Sequence, residues 1–247
     1  RDQHKEYRRQ RQMCIRDRFM LCDHLWATLF PAQEWMTCVG RLAFPIFAFM
    51  IAEGCYYTSN VKKYMLRLFL FAIISEIPFN LIMGSSVFYP FHQNVLWTFL
   101  LGVLSIQIIE KAKKKQKKWI SFFVVCLVLL MDFLLATITM VDYNAAGILT
   151  VLLFYFFRKK TWISFAAQLV GLYYLNVVML GNLYYPVTIL GHHFEIAQRS
   201  FALLALIPIW LYHGEQGYHS KWFKYFCYAF YPVHMLLLAL VLNYVNR

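Results

Sequence analysis

The chain has 247 residues, 61% of them hydrophobic, 19% aromatic and only 15% charged, with a net charge of +12. So little charge excludes an ordinary soluble domain, and repeated apolar runs of about 20 residues place the chain among polytopic membrane proteins. The basic residues fall in short clusters between those runs, which is the pattern of a topology signal and not of a nucleic-acid surface.

Residues 1–18, RDQHKEYRRQRQMCIRDR, are polar and basic and contain no apolar core of the kind a signal peptide needs. The stretch QMCIRDR resembles translated adapter or vector sequence. We read 1–18 as a non-native or disordered extension, and 19–247 as one transmembrane domain.

The first apolar span, Phe19 to Phe30, is short for a bilayer crossing, as expected if part of it is missing. It carries Asp23 and His24. Ionisable side chains inside hydrocarbon are costly, so this pair is a functional candidate by default, with a polar clamp between helices as the bland alternative. The second span runs from Val39 to Tyr57 and contains GRLAFPIFAFMIAEG. Gly40 permits close helix approach, and Pro45 removes a backbone donor. Arg41 is suited to binding an anion or polarising a carbonyl, or else to snorkelling. Glu53 near the end of this span and Arg67 in the next are candidates to receive a phosphate-rich donor. An ion pair between the two is the plainer expectation.

The third span, Tyr64 to Met83, carries SEIPFN. Glu76 and Asn80 are four apart and share a helical face unless Pro78 kinks it. Asn94 opens the fourth span, Asn94 to Ile109, and could line a polar cavity with those two. The fifth, Trp119 to Met140, holds a solitary acid, Asp132. A short sixth (Asn144 to Phe157), a seventh (Trp162 to Leu180), an eighth (Ala197 to Tyr212) and a ninth (Tyr225 to Val245) follow. The ninth contains YAFYPVH, with Pro232 two residues before His234. His192 and His193 are read as an outer loop, and His213 and His219 as interfacial. No His or Cys spacing supports a metal, and the six cysteines outline no disulfide framework.

Lys62, Lys63 and Arg67, then Lys111 to Lys118, then Arg158 to Lys160, then Lys221 and Lys224 fall on alternate connections. Nine spans with a cytoplasmic N-terminus and an outer C-terminus satisfy all four clusters. The expected fold is therefore an all-α polytopic bundle of about nine transmembrane helices, the first one truncated. The polar residues would gather around one wet pocket. No internal repeat supports an inverted-repeat transporter.

Taken together, FMLCDH, GRLAFPIFAF, AEGCYYTSNVKKYMLRL, IPFN, NVLWTFLLG, VDYNAAGIL and KYFCYAFYPVHMLLL resemble the TraX family of integral membrane proteins, from Phe19 to the C-terminus. More distantly, they resemble multi-spanning membrane acyltransferases. The resemblance implies a bacterial plasma-membrane acetyltransferase that uses acetyl-CoA as donor. The implied acceptor is an amine or hydroxyl in or at the membrane, a pilin-like N-terminus by family association. It implies His24 as base supported by Asp23, with Arg41 and His234 orienting or polarising the reacting groups. Its expected surroundings are membrane lipids, with no nucleic acid and no metal. The rival readings are a proton-coupled transporter and a non-enzymatic component of a conjugation apparatus.

Overall fold

The computed structural model describes residues 16–181, 183–189, 192–212 and 221–245. Helix α1 covers 16–28 and is followed by α2 (Glu34–Gly40), α3 (Ala43–Tyr57), α4 (Val61–Met83), α5 (Val95–Lys115), α6 (Lys118–Thr139) and α7 (Asn144–Phe156). Helix α8 (Trp162–Tyr173) runs on as a π-helix (Tyr174–Met179). A hairpin of β1 (Tyr184–Ile189) and β2 (His192–Ala197), a 3-10 helix (Gln198–Ala205), α9 (Leu206–Trp210) and α10 (Lys221–Val245) complete the order. The first fifteen residues of the extension read over 1–18 lie outside the described residues, as do His213 and His219, while 16–18 are helical.

Five stretches are long and apolar enough to cross a membrane: Glu34–Tyr57, Val61–Met83, Val95–Lys115, Lys118–Thr139 and Trp162–Met179. Asn144–Phe156 and Ala229–Val245 are apolar but shorter. A multi-pass helical membrane protein follows, with five described spans of full length where the sequence suggests nine. The eighth expected span is the clearest departure. Pro208 lies inside the short α-helix at the end of this stretch, where it removes the N–H that a continuous α-helix would offer the Leu204 carbonyl. The chain instead takes a 3-10 helix and a five-residue α-helix. The hairpin ahead of it was expected as loop. Its strands, YYPVTI and HHFEIA, are rich in aromatic and β-branched residues, and they pair antiparallel with Tyr184 opposite Ala197 and Ile189 opposite His192.

The second span is not one helix. The carbonyl four residues before Pro45 belongs to Arg41, where the ring would crowd it and no donor is available. The helix breaks there, into α2 and α3, and Arg41 sits at the break. By contrast, α4 and α10 run through Pro78 and Pro232 without interruption.

The chain divides into two compact units, 1–47 with 172–247, and 48–171. In the second unit α5 is central and packs on α4, α6 and α7. Val103, Ile106, Ile148, Val151 and Phe154 are wholly buried there. Gly102 lets α5 approach α7, because a Cβ on it would stand 3.0 Å from that of Val151. Helix α6 buries only the stripe Ser121, Val128, Asp132 and Ala136, and its Phe122, Phe123, Leu127, Leu130 and Phe133 are exposed. An outward face of that kind suits lipid. The basic clusters of this unit collect at one end. Lys113 Nζ lies 4.0 Å over the Phe156 ring, Ser121 donates to the Ala112 carbonyl, and Arg158 meets Glu53.

Candidate functional site

In the first unit, α1 and α10 meet through two imidazoles. His24 Nδ1 and His234 Nε2 are 2.7 Å apart, and the ring planes differ by 7°. His234 is 6% exposed, and its Nδ1 lies 2.7 Å from the carbonyl of Phe230. A carbonyl can only accept, so His234 Nδ1 carries a proton. In the neutral ring Nε2 is then the lone-pair nitrogen. His24 Nδ1 must therefore be the donor across the 2.7 Å contact. Neutral His24 is left with its lone pair on Nε2. Two hydrogen bonds thus fix two tautomers, and the outcome is a basic nitrogen on His24. Tyr231 flanks both rings, with centroids 6.2 Å from His24 and 5.8 Å from His234.

Beside this pair α1 and α2 cross closely. A Cβ on Gly40 would fall 2.4 Å from Asp23 Cβ, so only glycine fits. The approach brings Arg41 Nη2 within 2.7 Å of Asp23 Oδ1. Thr37 donates to the same oxygen at 3.0 Å, and Arg41 Nη2 also reaches Thr37 Oγ1 at 3.0 Å. Gln198 Nε2 donates to Thr37 Oγ1 at 3.1 Å and to the Tyr185 hydroxyl at 3.2 Å, tying the hairpin and the 3-10 helix to the ion pair. Burial pushes the Tyr185 phenol above its ordinary value, so it stays protonated. Asp23 and His24 are neighbours on one helix, about 100° apart around its axis. One serves the Arg41 network and the other the imidazole pair, so Asp23 supports His24 through the backbone they share.

The structure therefore brings Asp23, His24, Arg41 and His234 together in one unit. In the other it brings Glu76 and Asn94 together, while Asn80, one turn beyond Glu76 on α4, bonds the loop that follows. Asn94 caps α5 by accepting from Leu96 N, and its amide donates to the Ala72 carbonyl at 2.9 Å and to Glu76 Oε2. Trp97 Nε1 donates to the same Glu76 oxygen at 2.9 Å. Asn80 Nδ2 donates to the Val87 carbonyl at 3.2 Å. Nearby in the connecting loops, His92 Nε2 lies 3.5 Å from Asp142 Oδ1. The hydrogen bond that His92 donates to Asp142 raises the imidazole above its ordinary value, and the charges of Asp142 and Glu76 add to the effect.

The expected Glu53–Arg67 pair is not formed. Arg158 Nε takes Glu53 Oε1 at 3.1 Å, with its guanidinium 3.4 Å over the Tyr56 ring. Arg67 instead lies 5.9 Å from the Tyr64 ring. Arg158 follows α7, and nothing in sequence spacing relates α7 to α3. Thr37, Gln198 and Trp97 also escaped the sequence reading. Only Thr37 left a signal, being four residues before Arg41 on the same side of a helix. Among the described residues no cluster of three or more His, Cys, Asp or Glu could hold a metal ion.

No solved structure matches the chain. The "Probable fimbrial assembly protein FimC, serogroup H1" of Dichelobacter nodosus is 26% identical over 214 residues, which cover 83% of this chain and 82% of that protein. The family described as "TraX protein" matches residues 18–242, so the chain belongs to the TraX family.

Proposed function

We propose that the chain is a membrane acyltransferase that moves an acetyl group from acetyl-CoA to an amine or hydroxyl of an acceptor at the membrane, in the service of pilus or fimbria assembly. The observation that carries the reading is the His24–His234 contact of 2.7 Å with its fixed tautomers. A base held in one tautomer by a second ring is the arrangement proton transfer needs. The fimbrial link rests on the relative's printed name and on the family.

For an amine acceptor, the nitrogen attacks the thioester carbonyl carbon. The C–N bond forms as the C–S bond breaks. His24 Nε2 takes the proton released from nitrogen and returns it to the departing thiolate. His234 holds the ring and shares the charge of the imidazolium. Arg41, anchored by Asp23 and Thr37, supplies the positive field that a developing oxyanion requires.

The test compares membrane and surface molecules by mass spectrometry from cells with the wild-type chain and with His24→Gln at equal protein level. One added acetyl on a defined acceptor, lost in the variant, is expected. Identical spectra in the presence and absence of the well-expressed wild-type chain would overturn the reading.

A further inference from the structure

The turn between α5 and α6 gathers more positive charge than its surroundings use. Six lysines stand in the eight residues 111–118, and all six are exposed. Lys113 is committed to the protein, 3.9 Å from Glu110 and 4.0 Å over the Phe156 ring. Lys111, Lys114, Lys115, Lys117 and Lys118 have no acidic partner among the described residues. Fixing the topology does not demand so many, since Lys62 with Lys63, and Arg158 to Lys160, mark the other connections at this end of the unit. Offsetting the C-terminal dipole of α5 takes only about half a charge. Lys111 and Lys115, four apart on one helix, repel each other. Only Gln116 and Lys117 separate the two helices, so the chain has no slack with which to spread these charges.

The same turn carries exposed aromatic rings. Ser121 Oγ donates to the Ala112 carbonyl at 3.1 Å, which sets Lys111 to Lys115 level with the first turn of α6. Trp119, Phe122 and Phe123 are exposed there. Phe123 meets both other rings edge-on, with centroids 6.2 Å and 6.0 Å away. Below them Leu127, Leu130 and Phe133 continue the exposed face along α6. Ammonium groups, then aromatic rings, then a wholly apolar face is the order of layers at a membrane surface. A soluble polyphosphate would answer the lysines and leave the rings in water. A zwitterionic lipid brings an ammonium of its own, which opposes the lysines. A phospholipid with an anionic headgroup answers both features, with its phosphate among the lysines and its acyl chains along α6.

We propose that the α5–α6 turn is a docking site for anionic phospholipid, whose headgroup is held by Lys111, Lys114, Lys115, Lys117 and Lys118 beside Trp119. The site lies wholly within the second unit and does not depend on the histidine pair being catalytic.

The experiment gives the full chain, purified in detergent, an equal mixture of phosphatidylglycerol and phosphatidylcholine and counts retained lipid by native mass spectrometry. A lysine near an anionic surface favours binding about fivefold, so phosphatidylglycerol should be retained in about thirtyfold excess. Lys114→Gln, Lys117→Gln and Lys118→Gln together should cut that excess about tenfold, and the same three positions changed to Arg should keep it. A control with Lys62→Gln, Lys63→Gln and Lys159→Gln removes the same net charge elsewhere and should stay within about twofold of wild type. Equal losses in the two glutamine variants would make the effect one of net charge and overturn the site. So would equal retention of both lipids by the wild-type chain. Retention of added inorganic pyrophosphate in place of the lipid would also overturn it, since the ligand would then be a soluble polyphosphate. If a variant does not fold, the lipid competition and the pyrophosphate addition on the wild-type chain decide alone.

Discussion

His24 and His234 are 210 residues apart in the chain and share one hydrogen bond of 2.7 Å, whose direction is set by the Phe230 carbonyl behind it. The relay runs one way, from a backbone oxygen through two rings to a lone pair. Removing the first ring and removing the second should therefore have different consequences. His24→Gln abolishes the base and should lower acetyl transfer by about 10²–10⁴-fold. His234→Gln leaves the base but frees its tautomer. It should lower the rate less and alter the pH profile, which His24→Gln cannot do by restoring no base. Labelled-acetyl incorporation across pH, at matched protein level, checks both. Equal losses with unchanged profiles would count against the relay.

Gly40 and Asp23 make a steric prediction that does not involve catalysis. A methyl on Gly40 would meet Asp23 Cβ at 2.4 Å, an atom fixed to the backbone of α1 and unable to swing aside. Gly40→Ala must push α1 and α2 apart and loosen the Asp23–Arg41 contact. Overpacking of this kind costs about 1–3 kcal/mol. A melting temperature equal to wild type would refute the close crossing.

Glu53 has two conceivable partners, and a double-mutant cycle separates them. Coupling between Glu53→Gln and Arg158→Gln should be about 0.5–3 kcal/mol, as for residues in contact, whereas Glu53→Gln and Arg67→Gln should add within about 0.5 kcal/mol. The reverse result would restore the pairing that the sequence suggested.

That episode shows how far the sequence could be read. Spans three, four, five and seven were legible because length and apolarity alone define them; α4, α6 and α7 begin and end within about three residues of expectation, while α5 runs on past Ile109 to Lys115. The polar groups within them were legible because charge in a membrane span demands a reason. Asp23, His24, Arg41 and His234 were named on that ground, and the structure gathers them. What stayed hidden depends on packing order. Arg158 sits in a basic cluster that topology already explained, so nothing marked it as a partner. Gln198 opens the stretch read as the eighth span and Tyr185 lies in one read as loop, so neither was marked as a partner of α2. The two prolines inside α4 and α10 looked like kinks, yet only Pro45 broke its helix.

His92 gives the pH prediction. Asp142 and Glu76 hold its folded pKa above the unfolded value of 6.5. The folded state then binds a proton more tightly than the unfolded chain. Its contribution is fully present below pH 6.5 and is lost as pH rises through the elevated folded value. Wild type should thus exceed His92→Gln in stability at pH 5.5, and the gap should close in mildly alkaline solution. The side chain is 39% exposed, so the effect is modest and shrinks with salt. A gap that widens with pH would show the sign to be wrong.

Asp132 separates an acyltransferase from a proton-coupled carrier. Its Oδ1 accepts from Ser105 Oγ at 2.6 Å, and its Oδ2 is buried and receives no hydrogen bond. Both residues are nearly sealed, at 4% and 3% exposure. Ser105→Ala alone strands the carboxyl and should cost about 1–3 kcal/mol, whereas Ser105→Ala with Asp132→Leu removes both polar groups and should be close to neutral or stabilising. The double variant should also keep its acetyl transfer, because neither residue belongs to the unit that holds His24 and His234. A carrier that moves protons through Asp132 would lose all flux in the same protein. Membranes bearing the double variant, assayed for both acetyl incorporation and gradient-driven uptake, therefore give opposite answers under the two readings. Loss of acetyl transfer in a stable double variant would mean that the reaction needs a buried acid which the histidine relay does not supply.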